Sequence, residues 1–196
     1  MKTLLIVDPQ QDFMPGGSLE VPKGDEIIPI IHRIMKKYDT CVVTQDWHPK
    51  NHVSFASNHA QKKPFDIIDL KGLQQILWPD HCVQGTKGAD FHPALNMKPI
   101  SAIIRKGTDP HIDSYSGFYD NGHLKKTGLA GYLRDISCKE VHICGLAADV
   151  CVYYTILDAL KEGFSVSLLQ DAVRALDSDT FEKMKKDLIE MGVKII

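Results

Sequence analysis

The 196-residue sequence is short of basic charge, of paired cysteines and of long apolar runs, and each shortage removes a class of function. Lysine and arginine number 23 against 25 acidic residues, a formal net charge of -2. No basic excess is available to neutralise phosphates, so nucleic acid is not an expected partner. No run approaches the roughly 18 apolar residues of a spanning helix, and the first residues lead directly into a strand-like run without a leader's hydrophobic region and cleavage site. A membrane is therefore not an expected partner either. The five cysteines are odd in number and none lies in a Cys-x-x-Cys pair, which argues against a disulfide framework and against a thiolate zinc site. With no Asn-x-Ser/Thr acceptor as well, a reducing cytoplasmic location is the expectation. There is no internal repeat and no low-complexity segment.

What is present is an ordinary globular composition, 43% hydrophobic and 24% charged, in a length that suits one domain spanning 1–196. Six apolar runs rich in β-branched residues, at 3–7, 40–44, 102–105, 140–144, 165–169 and 193–196, are near-continuous and do not alternate. Strands buried on both faces of a parallel sheet read this way. Helical patterns lie between them at 25–37, 127–136, 149–162 and 179–191, the first of them with Asp25 as a candidate cap. The expected fold is α/β and three-layered, a six-stranded, mostly parallel sheet flanked by helices. Residues 47–99 form a long irregular stretch with one short helical candidate at 70–77, and a connection of that length is usually functional.

In such a sheet the carboxyl ends of the strands share one edge, where ligands bind. Asp8 follows the first run, Asp46 and His48 the second, and Lys106 the third, while Gly145 leads from the fourth toward Cys151. Each has a plainer reading alone: a strand-end aspartate caps a turn, a lysine escapes to solvent, a cysteine fills a core. Their common edge favours chemistry. Cys151 would sit in the first turn of a helix, where the dipole and Lys106 both favour the thiolate. Asp8 could carry the thiol proton, and the N–H groups of the 146–151 turn could meet the oxygen of a tetrahedral adduct. That constellation points to acyl transfer, such as amide or ester hydrolysis. In "TQDWHPKNHVSF" and "WPDHCVQGT", Asp46, His48 and His81 offer one carboxylate and two imidazoles, a set suited to a divalent metal with open positions. His52 is either a further ligand or a group that orients the others.

The chain resembles the nicotinamidase (pyrazinamidase) branch of the isochorismatase-like cysteine hydrolases, through "LLIVDPQQDF", "TQDWHPKNHVSF", "WPDHCVQGT", "IIRKGTDP", "YSGFYDN" and "GLAADVCV". The resemblance implies a catalytic triad of Asp8, Lys106 and Cys151, with Cys151 as nucleophile. It also implies oxyanion-hole N–H groups from Ala147 and Cys151, a cis peptide between Leu146 and Ala147, and an aromatic lining of Phe13, Trp78 and Tyr115. Asp46, His48 and His81 would hold one divalent ion, with Zn²⁺ expected and Fe²⁺ or Mn²⁺ as alternatives. The implied reaction is hydrolysis of nicotinamide, and of pyrazinamide, to the acid and ammonia through a thioester, in NAD salvage. The alternative is hydrolysis of a different small amide. Ala148 departs from the threonine common in that family. A homo-oligomer is left open. A metal-free relative has no use for the Asp/His/His set, a metal-only amidase none for Cys151, and a phosphate-accepting receiver domain none for the histidines.

Overall fold

The computed structural model describes residues 2–196. In chain order its elements are β1 (Lys2–Val7), α1 (Ile27–Met35), β2 (Thr40–Asp46), β3 (Ile67–Leu70), β4 (Leu73–Ile76), β5 (Ile100–Lys106), α2 (Leu129–Asp135), β6 (Glu140–Gly145), α3 (Tyr153–Lys161), β7 (Ser165–Val173), α4 (Ser178–Glu190) and β8 (Lys194–Ile195). Six strands form one sheet in the order β5-β2-β1-β6-β7-β8. All of its pairings are parallel. The α/β fold with a helix-flanked sheet is as expected, and the sheet is wholly rather than mostly parallel.

β1 is the innermost strand in sequence terms: Leu4, Leu5, Ile6 and Val7 are all fully buried, which explains a run with no polar alternation. Each such side chain contributes about 1.5–3 kcal/mol by leaving water. α1 buries Ile27, Ile28, Ile31 and Met35, one apolar stripe at helical spacing. The chain runs from β1 outward to β2 and β5, then crosses to β6 on the other side of β1. A reversal of this kind leaves a crevice at the carboxyl ends of the two diverging strands. Here those are β1 and β6, the strands that deliver Asp8 and the turn to Cys151.

Three local expectations are corrected. Residues 70–77 are not helical: β3 and β4 form an antiparallel hairpin, with Leu70 opposite Leu73. Lys71 and Gly72 both take positive φ, 56° and 91°, which is the two-residue turn that matches strand twist. Asp25 does not cap α1: residues 24–26 form a 3₁₀ turn, Glu26 N–H donates to the carbonyl of Lys23, and the helix proper starts at Ile27. The helix expected from 149 opens instead with a π turn, Ala148–Val152, before α3. Among the described residues no helix is long and apolar enough to cross a membrane.

Candidate active site

Three strands end on the residues that meet at this edge. Asp8 follows β1 with φ 47°, a left-handed conformation an aspartate tolerates, so the chain turns sharply as it leaves the sheet. Thr44 of β2 fixes it: the Asp8 N–H donates to Thr44 Oγ1 at 3.1 Å, and that hydroxyl donates to Asp8 Oδ1 at 2.6 Å. Asp46 ends β2 and is clamped by Gln10, whose amide nitrogen donates to the Asp46 carbonyl and whose Oε1 accepts the Asp46 N–H. Lys106 ends β5, with its side chain wholly buried. Its Nζ lies 2.9 Å from Asp8 Oδ2, 2.7 Å from Asp46 Oδ1, 2.9 Å from the Ser114 carbonyl and 3.4 Å from Cys151 Sγ.

Burial works against every charge in this cluster, and the pairings decide which survives. For Lys106 burial disfavours the ammonium, but Asp46 and Asp8 outweigh it and hold the amine well above its usual range. Burial likewise pushes Asp46 up, yet Lys106 and then His48 keep its carboxyl well below the usual range. Asp8 ends raised: burial leads, Lys106 offsets part of it, and Asp46 adds to it. Its Oδ2 has the Lys106 ion pair but no aligned hydrogen bond, which leaves a lone pair free to accept a proton.

Cys151 departs from expectation. Burial, with Asp8 and Asp46 behind it, pushes its thiol well above the usual range, although Lys106 pulls the other way. Cys151 does lie in the first turn of the helical segment, in the π turn that runs directly into α3, but the ammonium is already shared between two carboxylates. A carboxylate oxygen of Asp8, one of Asp46 and Cys151 Sγ all lie within 4.8 Å of one another. The turn that carries Cys151 leaves β6 through Gly145, continues through the cis Leu146–Ala147 peptide, and is closed by the Val152 N–H donating to the Ala147 carbonyl at 3.0 Å.

Asp46 also faces a second cluster through its other oxygen. Its Oδ2 lies 3.4 Å from His48 Nε2 and 3.8 Å from His81 Nε2, and the three residues are buried. His48 donates its Nδ1–H to the Gly107 carbonyl at 2.9 Å, and His81 donates its own to the Pro79 carbonyl at 2.8 Å. These bonds fix the tautomer and turn both Nε2 lone pairs inward, as metal ligands require. The donor set of one oxygen and two imidazole nitrogens fits a divalent cation with open positions. His81 arrives from far along the chain because residues 82–84 pair beside His48: its N–H donates to the Cys82 carbonyl, and its carbonyl accepts the Gln84 N–H. Gly107 must be glycine, since its φ is +64° and a Cβ would stand 2.3 Å from His48 Cε1. His52 is not within this trio. It lies against His48, with ring centroids 4.3 Å apart, and groups with His48 and Asp113. Of the remaining histidines, His123 Nε2 lies 3.3 Å from Asp158 Oδ1 and His142 Nε2 lies 3.3 Å from Glu140 Oε1, both apart from the Asp46 cluster.

A slit opens onto both clusters. Phe13, Trp78 and Tyr115 line it, with Asp46, His81, Ala147 and Cys151. Its open space is about 20 Å³, about the room of one water molecule. A flat guest must part its walls. Sequence reading missed Gln10, Thr44, Leu19, Asp113 and Leu176. Gln10 and Thr44 lay within quoted motifs with no role assigned, and Asp113 becomes visible only when the 107–116 loop folds over the strand ends.

The isochorismatase domain model matches residues 2–196. The chain is 46% identical over 194 residues to the nicotinamidase of Acinetobacter baylyi, covering 98% of this chain and 91% of that one. Among solved structures it is similar to the Acinetobacter baumanii nicotinamidase/pyrazinamidase, with 45% identity, a TM-score of 0.96, and coverage of 100% and 95%. The yeast nicotinamidase bound to the inhibitor nicotinaldehyde gives 34% identity, a TM-score of 0.94, and coverage of 100% and 99%. The pyrazinamidase of Pyrococcus horikoshii in complex with zinc gives 41% identity, a TM-score of 0.80, and coverage of 100% and 98%. The chain belongs to the isochorismatase family.

Proposed function

We propose that this chain is an amidohydrolase that converts nicotinamide, and its analogue pyrazinamide, to the aromatic acid and ammonia through a thioester on Cys151, serving NAD salvage. One observation carries the reading. A buried thiol, a carboxylate with a free lone pair and an ammonium meet at Lys106 Nζ, and the same ammonium touches Asp46 of a trio fit for a metal. The names of the similar proteins support the substrate class.

Asp8 takes the Cys151 proton as the sulfur attacks the amide carbon, and the new S–C bond pushes the carbonyl electrons onto oxygen. Lys106 holds both partners in place and balances the charge that appears. The N–H groups of Ala147 and Cys151 are assigned to the oxyanion; one such donor is worth about 3–4 kcal/mol in comparable sites. Collapse breaks the C–N bond, and Asp8 returns its proton to the leaving nitrogen, which departs as ammonia. Asp8 then takes a proton from the water that attacks the thioester; collapse breaks the C–S bond, the aromatic acid is released, and Asp8 returns the proton to Cys151 Sγ. Asp46, His48 and His81 are assigned a divalent ion, Zn²⁺ first, with Fe²⁺ or Mn²⁺ as alternatives. When bound, it supplies a coordination position for the ring nitrogen and so orients the ring. Phe13, Trp78 and Tyr115 stack or edge the ring and exclude water.

The test is ammonia release by metal-replete protein, with Cys151→Ala beside it. The expected outcome is turnover of nicotinamide that falls about 10⁴-fold or more in the variant while its metal content is unchanged. Inactivity of the parent on both amides would overturn the substrate assignment, leaving a different small amide as the alternative. Near-normal turnover by the variant would overturn the thioester route.

A further inference from the structure

Gln75 lies on β4, in a hairpin that otherwise has little core: Ile67 and Leu73 are exposed, whereas Gln75 is 3% exposed. A two-stranded hairpin is marginal on its own. This one is fastened to the slit through the Gln75 amide. Its Nε2 lies 3.1 Å from Asp113 Oδ2, 3.1 Å from the Tyr115 hydroxyl and 2.7 Å from the Ile76 carbonyl. Asp113 and Tyr115 both line the slit, and Gln75 stands behind them without lining it. A carboxamide suits the place because it donates to Asp113 without cancelling that carboxylate's charge, as a lysine or arginine would. Two N–H hydrogens shared among three acceptors tie the aspartate and the tyrosine to one another.

We infer that Gln75 is a positioning residue that sets the rigidity of the Asp113–Tyr115 wall, and so the fit of the flat amide substrate. This rests on the reading of the slit as the ring site. The narrowness of the slit makes the wall decisive, because a flat guest must part it. A fixed wall reseals on the ring in one arrangement. A loose wall admits small reagents faster but must be ordered at each binding event, which weakens the complex.

The experiment compares the parent protein, Gln75→Met, Tyr115→Phe and the double variant, with melting temperatures as a folding control. Met matches the length of Gln without its hydrogen bonds. Two readouts are taken: KM and kcat on nicotinamide, and the rate of Cys151 alkylation by iodoacetamide, located by mass spectrometry. Gln75→Met is expected to raise KM about 3- to 10-fold, the size of one lost hydrogen bond, with kcat changed less than about 2-fold. Alkylation should quicken about 3-fold or more. In the double variant the two effects should fall short of their product, since both changes release the same hydroxyl. Unchanged KM and alkylation in Gln75→Met, or fully multiplicative effects in the double variant, would overturn the inference. Should the parent protein not hydrolyse nicotinamide, the proposed function fails, and the alkylation arm still decides the role of Gln75.

Discussion

Lys106 shows how much one side chain can arrange: its ammonium pairs with Asp8, reaches the thiol, and fixes one oxygen of Asp46 so that the other faces His48 and His81. A charge so placed is retained only because two carboxylates outweigh the cost of burial. Away from the site, Tyr38 offers a simpler titration. Its hydroxyl lies 2.9 Å from His142 Nδ1, and burial, followed by Cys144, Cys41 and Glu140, pushes the phenol from 10.0 to about 12. Between those values the folded chain keeps a proton that the unfolded chain has released. Stability is thus unaffected below pH 10 and falls as pH rises through the folded value. Tyr38→Phe is expected to shrink the loss in melting temperature between about pH 9 and pH 11.5. An equal loss in both proteins would show that burial of this phenol does not shape the alkaline limit.

At the scale of elements, the sheet was legible and its attachments were not. Strands buried on both faces must be apolar throughout, so β1, β2 and β6 announced themselves, and with them the positions of Asp8, Asp46 and the approach to Cys151; β5, which ends on Lys106, is an edge strand with Ile103 exposed, and its apolar run overstates its burial. The β3–β4 hairpin was misread because its signal is two backbone conformations at Lys71 and Gly72, and its one buried polar anchor, Gln75, has no periodic partner. The upward pull of burial on the Cys151 thiol was also out of reach, since it is set against how Lys106 divides its charge among neighbours brought from three strands. Gly145 tests the junction where the sheet hands over to the nucleophile turn. Its φ is +119°, and a Cβ would stand 2.0 Å from the Val7 carbonyl oxygen, so a side chain would force β6 from β1 beside Asp8. Gly145→Ala is expected to cost on the order of 3 kcal/mol or more and to remove activity. Gly131→Ala is the matched control: that glycine lies in α2 with nothing within 4 Å, and the change should be neutral or stabilising by up to about 1 kcal/mol. Thermal melts of both variants check the pair, and a tolerated Gly145→Ala would mean the strands can separate there without harm.

Across the whole molecule, the reversal of strand order between β1 and β6 gathers two clusters at one edge, and in the proposed mechanism they divide the labour of hydrolysis. The Asp8–Lys106–Cys151 cluster has its own carboxylate and its own cation beside the thiol. The Asp46–His48–His81 trio is held open from behind by the Gly107 and Pro79 carbonyls, bonds that need no ion to form. If the trio's ion serves to orient the ring, chelation should damage recognition more than reactivity. Treatment with a chelator is expected to weaken nicotinate binding, read by calorimetry, about 10-fold or more, and to change the alkylation rate of Cys151 less than about 3-fold. Restoring the ion should recover binding. The two clusters are nevertheless joined through the two oxygens of Asp46, one on Lys106 and one on the histidines, and the ratio of the two losses measures how strongly. Equal losses would mean that the ion's charge reaches the thiol through Asp46 and Lys106, and that orientation of the ring is only part of its work.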